Sequence, residues 1–170
     1  MNVGVICSRR AVCAPESATL AQVALLMSEE HVGAIVVTTG DTAHPRVAGI
    51  ITDRDIVRAQ LERVADLSRL SAGETMTPKP LVFEEGEPLD GAIAHLHARG
   101  VRRAPVIGPH GEPVGLISID DLLGHLAATL IGLAGIVARQ IRNERMTCAP
   151  AQPDGPASVA CGARVPIPGL

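Results

Sequence analysis

The chain has 170 residues, 46% of them hydrophobic, and a formal net charge of −3 at neutral pH. That size suits one compact domain or two small subdomains sharing a core. One aromatic residue, Phe83, leaves an aliphatic core and no stacking platform for single-stranded nucleic acid, and the mildly acidic balance gives no general attraction to nucleic acid or to anionic membranes.

Along the chain, Ala11 to Ala14 reads as a short strand and Pro15-Glu16-Ser17 as a turn, with Ser17 or Thr19 available to cap a helix. Leu20, Val23, Ala24 and Met27 give that helix an apolar face, and Gly33 is expected to close it. Ala34 to Thr38 and Val47 to Ile51 read as strands joined by a hairpin-type loop, and a helix follows from Asp53 with Ile56, Val57, Leu61 and Val64 on one face. Ser71 to Pro80, broken by Gly73, Pro78 and Pro80, reads as a linker. The order then returns: a short strand at Leu81 to Phe83, a helix from Leu89 to Ala98 stopped by Gly100, and strands at Ala104 to Ile107 and Pro113 to Ile117. A last helix starts at Asp120 and runs to about Met146. Its stripe of Leu122, Leu126, Leu130, Leu133, Val137 and Ile141 exceeds what one small domain needs and suggests packing against a partner chain. The apolar run from Leu126 to Ala138 is shorter than the roughly 20 residues a bilayer crossing takes, so a soluble helix and no membrane contact are expected. The organisation expected is residues 1–70 and 71–125 for two repeats, 126–146 for a helical extension and 147–170 for a disordered tail.

The cysteines at 7, 13, 148 and 161 have no C-x-x-C spacing, which points to free thiols in a reducing cytoplasm, with a Cys7–Cys13 disulfide as the lesser alternative. No signal peptide is expected, because no apolar run follows Arg9 and Arg10. No His pairs with a Ser or Cys in a catalytic spacing, and no catalytic or metal-binding residue is assigned.

The most informative feature is a phrase that occurs twice. Gly49-Ile50-Ile51-Thr52-Asp53-Arg54-Asp55 returns as Gly115-Leu116-Ile117-Ser118-Ile119-Asp120-Asp121, and Leu20, Val32 and Val37 return as Leu89, Val101 and Val106 at an offset of 69. Thr52-x-x-Asp55 and Ser118-x-x-Asp121 fit a capping box, in which hydroxyl and carboxylate satisfy the free N–H groups of a helix start. The same geometry suits a nucleoside phosphate. The helix N-terminus and hydroxyl can hold phosphate, the carboxylate can accept a vicinal diol, and Ile50, Ile51, Leu116 and Ile117 can wall a flat base.

The pair resembles a tandem cystathionine-β-synthase (CBS) domain module of the bacterial stand-alone type, over roughly Ile6 to His125. The family phrase Gly-hydrophobic-hydrophobic-Thr/Ser-x-x-Asp is matched twice, and GIITDRDIVRA (49–59) and VRRAPVI (101–107) look like family segments. The resemblance implies an α+β fold of α/β-type repeats: two CBS repeats, each a small mixed sheet packed by two helices, plus the long C-terminal helix. It implies a regulatory module, not an enzyme, that binds AMP, ADP or ATP (with Mg accompanying ATP) in clefts between the repeats. No cofactor is required, and the module forms a homodimer and signals to an unidentified protein in trans.

By the same resemblance, Thr52 and Ser118 lie near phosphate or ribose, and Asp55 and Asp121 hold ribose. The backbones of Val12, Cys13 and Ala14, and of Leu81, Val82 and Phe83, meet the base beside Ile51 and Ile117, and Cys13 can equally be a small core filler. Arg102 and Arg103, where the first repeat has Gly33 and Ala34, would reach phosphate in the Thr52/Asp55 cleft, making it the main site. The alternatives are a sensor of S-adenosylmethionine or adenosine, and a dimerisation module with empty clefts.

Overall fold

The computed structural model describes residues 1–41, 43–63 and 66–147; Val64, Cys148, Cys161 and the expected tail from 148 lie outside the described residues. The chain forms two compact units, Met1–Thr129 and a second that begins at Leu130. Its elements in order are α1 (Val3–Ile6), β1 (Ser8–Arg9), β2 (Cys13–Pro15), α2 (Leu20–Glu29), β3 (Ala34–Thr39), β4 (Arg46–Thr52), α3 (Asp53–Arg63), a 3-10 turn (Leu67–Arg69), α4 (Ala72–Thr75), β5 (Thr77–Pro78), β6 (Phe83–Glu84), α5 (Leu89–Arg99), β7 (Arg103–Ile107), β8 (Pro113–Ser118) and α6 (Ile119–Thr147).

Local chemistry accounts for the helix ends. Thr19, not Ser17, caps α2, in a reciprocal box with Gln22. Gly33 does not close that helix: His31 takes the left-handed turn (φ 54°), and at the matching position, 69 residues on, Gly100 does the same for α5 (φ 63°). Gly33 is thereby left at the start of β3.

Two small mixed sheets result, with orders β2-β3-β4-β5 and β1-β8-β7-β6. In each, one pairing is parallel (β2 with β3, β6 with β7) and the others are antiparallel. The segment read as a linker contains α4 and β5, started by a Ser71/Glu74 capping box, and β5 pairs with β4 of the first repeat. Reciprocally, β1 leaves the N-terminus to pair with β8 of the second repeat. The flanking turns repeat this exchange: Gly4 N–H donates to Glu85 O and Gly73 N–H to Glu16 O, both at 2.9 Å. Sheet boundaries therefore cross the repeat boundary at residue 70.

The exchange explains the glycine that opens the repeated phrase. A Cβ on Gly115 would lie 2.6 Å from Ser8 O, and one on Gly49 would lie 2.9 Å from Thr77 O and collide with Met76. These two positions hold glycine because an edge strand passes directly over the backbone.

Each sheet buries one face under its helices. Leu20, Val23, Ile35, Val37, Ile51 and Ile56 form the first core; Val3, Phe83, Leu96, Val106 and Ile117 form the second. The short first strands sit two residues later than expected, and the Phe83 side chain fills the second core.

Within α6, Leu122 packs on the second core, whereas Leu123 and Leu126 are exposed. An 18-residue window within Ile119–Arg145 reaches a mean hydropathy of 1.7, so by length and composition alone the helix is apolar enough to cross a membrane. Counting the run only from Leu126 had made it shorter, because Gly124 and His125 interrupt it.

Replacing Gly49 or Gly115 with Ala should destabilise the protein by about 1–3 kcal/mol, since a backbone neighbour must move. Urea unfolding measures this, with Gly124→Ala on an open surface of α6 as the control.

Candidate functional site

Both copies of the repeated phrase place their hydroxyl at a helix start and their carboxylate one turn on. Asp55 Oδ2 accepts from Thr52 N–H (2.9 Å) and from the Thr52 hydroxyl (2.7 Å). Asp121 Oδ2 accepts from Ser118 N–H (2.8 Å) and from the Ser118 hydroxyl (2.6 Å). The second box is reciprocal, with Asp121 N–H donating back to Ser118 Oγ at 3.2 Å. Capping is thus a real part of what these residues do. Asp121 has one further partner: Ser8, on the exchanged strand β1, donates to Oδ1 at 3.2 Å. Each carboxylate oxygen can accept two hydrogen bonds, so Oδ1 keeps acceptor capacity toward a ligand.

The two carboxylates face different surroundings. Asp121 lines a cavity of about 250 Å³ between the repeats, with Ser118, Arg103, Arg10 and Gly33. Asp55 lines a separate cleft of about 130 Å³ between α3 and α4, with Arg58, Glu62 and Thr75.

Strand register decides which side receives the basic residue. Arg103 is the Cα partner of Ser118 across the antiparallel β7–β8 pair, and Ala34 is the partner of Thr52 in the same place across β3–β4. The arginine therefore stands beside the hydroxyl of its own repeat and lines the Ser118/Asp121 cavity, whereas the expected assignment was to the cleft of Thr52 and Asp55. Its Nη1 and the Oδ2 of Asp53, the neighbour of Thr52, each come within 3.5 Å of where a Gly33 Cβ would be. Arg102 is exposed and contributes its carbonyl, which accepts from Ile119 N–H at 2.9 Å.

The other expected residues separate in the same physical way. Alternation along β8 puts Leu116 and Ser118 on the cleft face and Ile117 in the core; Ile51 is likewise fully buried in the first core. Val12 lines the cleft together with Val32 and Val36, whereas Cys13 and Ala14 line a groove of about 570 Å³ along α2. Leu81 packs on the second core and Val82 is exposed. Cys7 and Cys13 are free, and burial pushes both thiols above their ordinary range.

Sequence reasoning missed Arg10. It sits between β1 and β2, at the point where the chain leaves one sheet for the other, in a left-handed conformation (φ 81°); Lys79 matches it 69 residues on (φ 48°). A basic residue at equivalent places in both repeats was the available signal.

A family model for the CBS domain matches residues 3–62 and 70–128. The chain belongs to the CBS domain family. It is 31% identical over 126 residues to Hypoxic response protein 1 of Mycobacterium tuberculosis, covering 74% of this chain and 81% of that protein. An uncharacterized protein of Methanopyrus kandleri is 25% identical; the match covers 76% of this chain and 66% of that protein's length. Among solved structures, a CBS domain protein from Pyrobaculum aerophilum complexed with AMP is 30% identical with a TM-score of 0.65, over 72% of this chain and 90% of that one. The two CBS repeats of this chain thus share their fold with a pair that holds a nucleotide.

Ser118→Ala removes the reciprocal cap of α6 and should cost about 1 kcal/mol. Denaturant unfolding in the absence of nucleotide reads the cap by itself.

Proposed function

We propose that this chain is a regulatory module that senses an adenosine phosphate in the cleft of Ser118 and Asp121 and signals in trans to a protein partner. The observation that carries the reading is the register pairing of Arg103 with Ser118, together with Asp121 and Arg10 in the lining of one cavity with apolar walls. Each group suits one part of such a ligand. The guanidinium of Arg103, with Arg10, pairs with phosphate; Asp121 Oδ1 accepts a ribose hydroxyl; Leu116, Val12, Val32 and Val36 enclose the flat base. The AMP held by the Pyrobaculum aerophilum relative supports this ligand class.

The cleft's two serine hydroxyls bond Asp121, a carboxylate that caps a helix, and no histidine is in its lining, which favours sensing over catalysis. Because its walls come from both repeats, a ligand that binds one relative arrangement of them more tightly shifts the population toward it, and that changes the surface offered to a partner. The Thr52/Asp55 side, with Ala34 in the place of an arginine, is the weaker phosphate site.

Calorimetry with AMP tests the assignment. Arg103→Ala should weaken binding by about tenfold to a hundredfold, the equivalent of roughly 1.5–3 kcal/mol for a charge-assisted bond. Asp121→Asn should also weaken it, and Asp55→Asn should leave it within about twofold. Tighter binding of S-adenosylmethionine than of AMP, ADP and ATP, or a larger loss for Asp55 than for Asp121, overturns the proposal.

A further inference from the structure

Arg103 has a carboxylate of the other repeat for a neighbour. Its Nη1 and Asp53 Oδ2 each lie 3.5 Å from the point where a Gly33 Cβ would be, so the two atoms are no farther apart than twice that distance. Asp53 opens α3 and is held in place there. Its N–H donates to Gly33 O at 3.3 Å, and its Oδ1 accepts from Arg54 N–H at 2.7 Å. That leaves Oδ2 on the side of Gly33.

The matching positions of the two repeats make this arrangement one-sided. Ile119 follows Ser118 as Asp53 follows Thr52, and Ile119 N–H donates to Arg102 O as Asp53 N–H donates to Gly33 O. Ala34 stands against Thr52 as Arg103 stands against Ser118. The counterparts of Asp53 and Arg103 are therefore Ile119 and Ala34, neither of them charged. The carboxylate occurs only where there is an arginine to meet it.

The cavity that Arg103 lines also holds Arg10, Asp120 and Asp121. Its volume of about 250 Å³ is below the roughly 300 Å³ at which pockets for drug-sized molecules begin, so phosphates beyond the first extend out of it. Asp53 is exposed and stands outside the lining. A phosphate chain that leaves past Arg103 runs toward this fixed negative charge, and each added phosphate raises the repulsion.

We infer that Asp53 is a specificity-determining residue of this cleft, a counter-charge beside Arg103 that selects a nucleoside monophosphate over the di- and triphosphate. The inference rests on the reading of the Ser118/Asp121 cleft as the phosphate site. Calorimetry of the full chain with adenosine, AMP and ATP in magnesium-free buffer tests both. Wild type should bind AMP more tightly than ATP. Asp53→Asn, which keeps an acceptor for Arg54 N–H, should tighten ATP about fivefold and AMP about twofold, the scale of an exposed charge interaction, and leave adenosine unchanged. Asp53→Glu, which keeps the charge, should retain the wild-type order of AMP over ATP. Equal gains for all three ligands mark a structural effect of Asp53 and overturn the inference, as does tighter binding of ATP than of AMP by wild type. If Arg103→Ala leaves AMP binding unchanged, the reading of the cleft falls and this inference with it. If Arg103→Ala weakens AMP but Asp53→Asn leaves the ratio of AMP to ATP affinity as it was, this inference alone falls.

Discussion

The structure depends on the close passage of one edge strand over one glycine, made twice. β1 runs across Gly115 and β5 across Gly49, each near enough that a methyl group would meet backbone oxygen. These passages fasten the start of each repeat to the sheet of the other. Two sheets of four short strands thereby become parts of one unit. The reciprocal hydrogen bonds of Gly4 with Glu85 and of Gly73 with Glu16 fasten the same crossing from the helical side.

The crossing also builds the cleft. As the chain leaves β1 for β2 it lays Ser8, Arg10 and Val12 along the cavity that Arg103 also lines. Ser8 then bonds the carboxylate that caps α6. The capping reading and the ligand reading of the repeated phrase are therefore compatible. Asp121 uses one oxygen to hold the helix start and presents the other, lightly occupied, to the cavity.

Much of this was legible beforehand. The repeat, its offset, the alternation of strands and helices, the caps at Thr52 and Ser118, and the contrast of Arg102 and Arg103 with Gly33 and Ala34 are all local patterns. They depend on side-chain type and spacing, which the sequence states directly. What misled was every inference that needed to know what faces what. Ile51 and Ile117 have the hydrophobicity of a base pocket, but the pleat turns them inward. The segment from Ser71 to Pro80 has the composition of a linker, yet it is held in place by a partner strand distant in sequence.

The sequence by itself determined that there are two similar units, where their helices begin, and that one of them carries an extra basic pair, because propensity, capping and periodicity act over a few residues. Only the tertiary structure decided which cavity that charge lines. The reason is strand register: Arg103 is the partner of Ser118 across β7 and β8, and pairing between strands joins residues that local spacing does not.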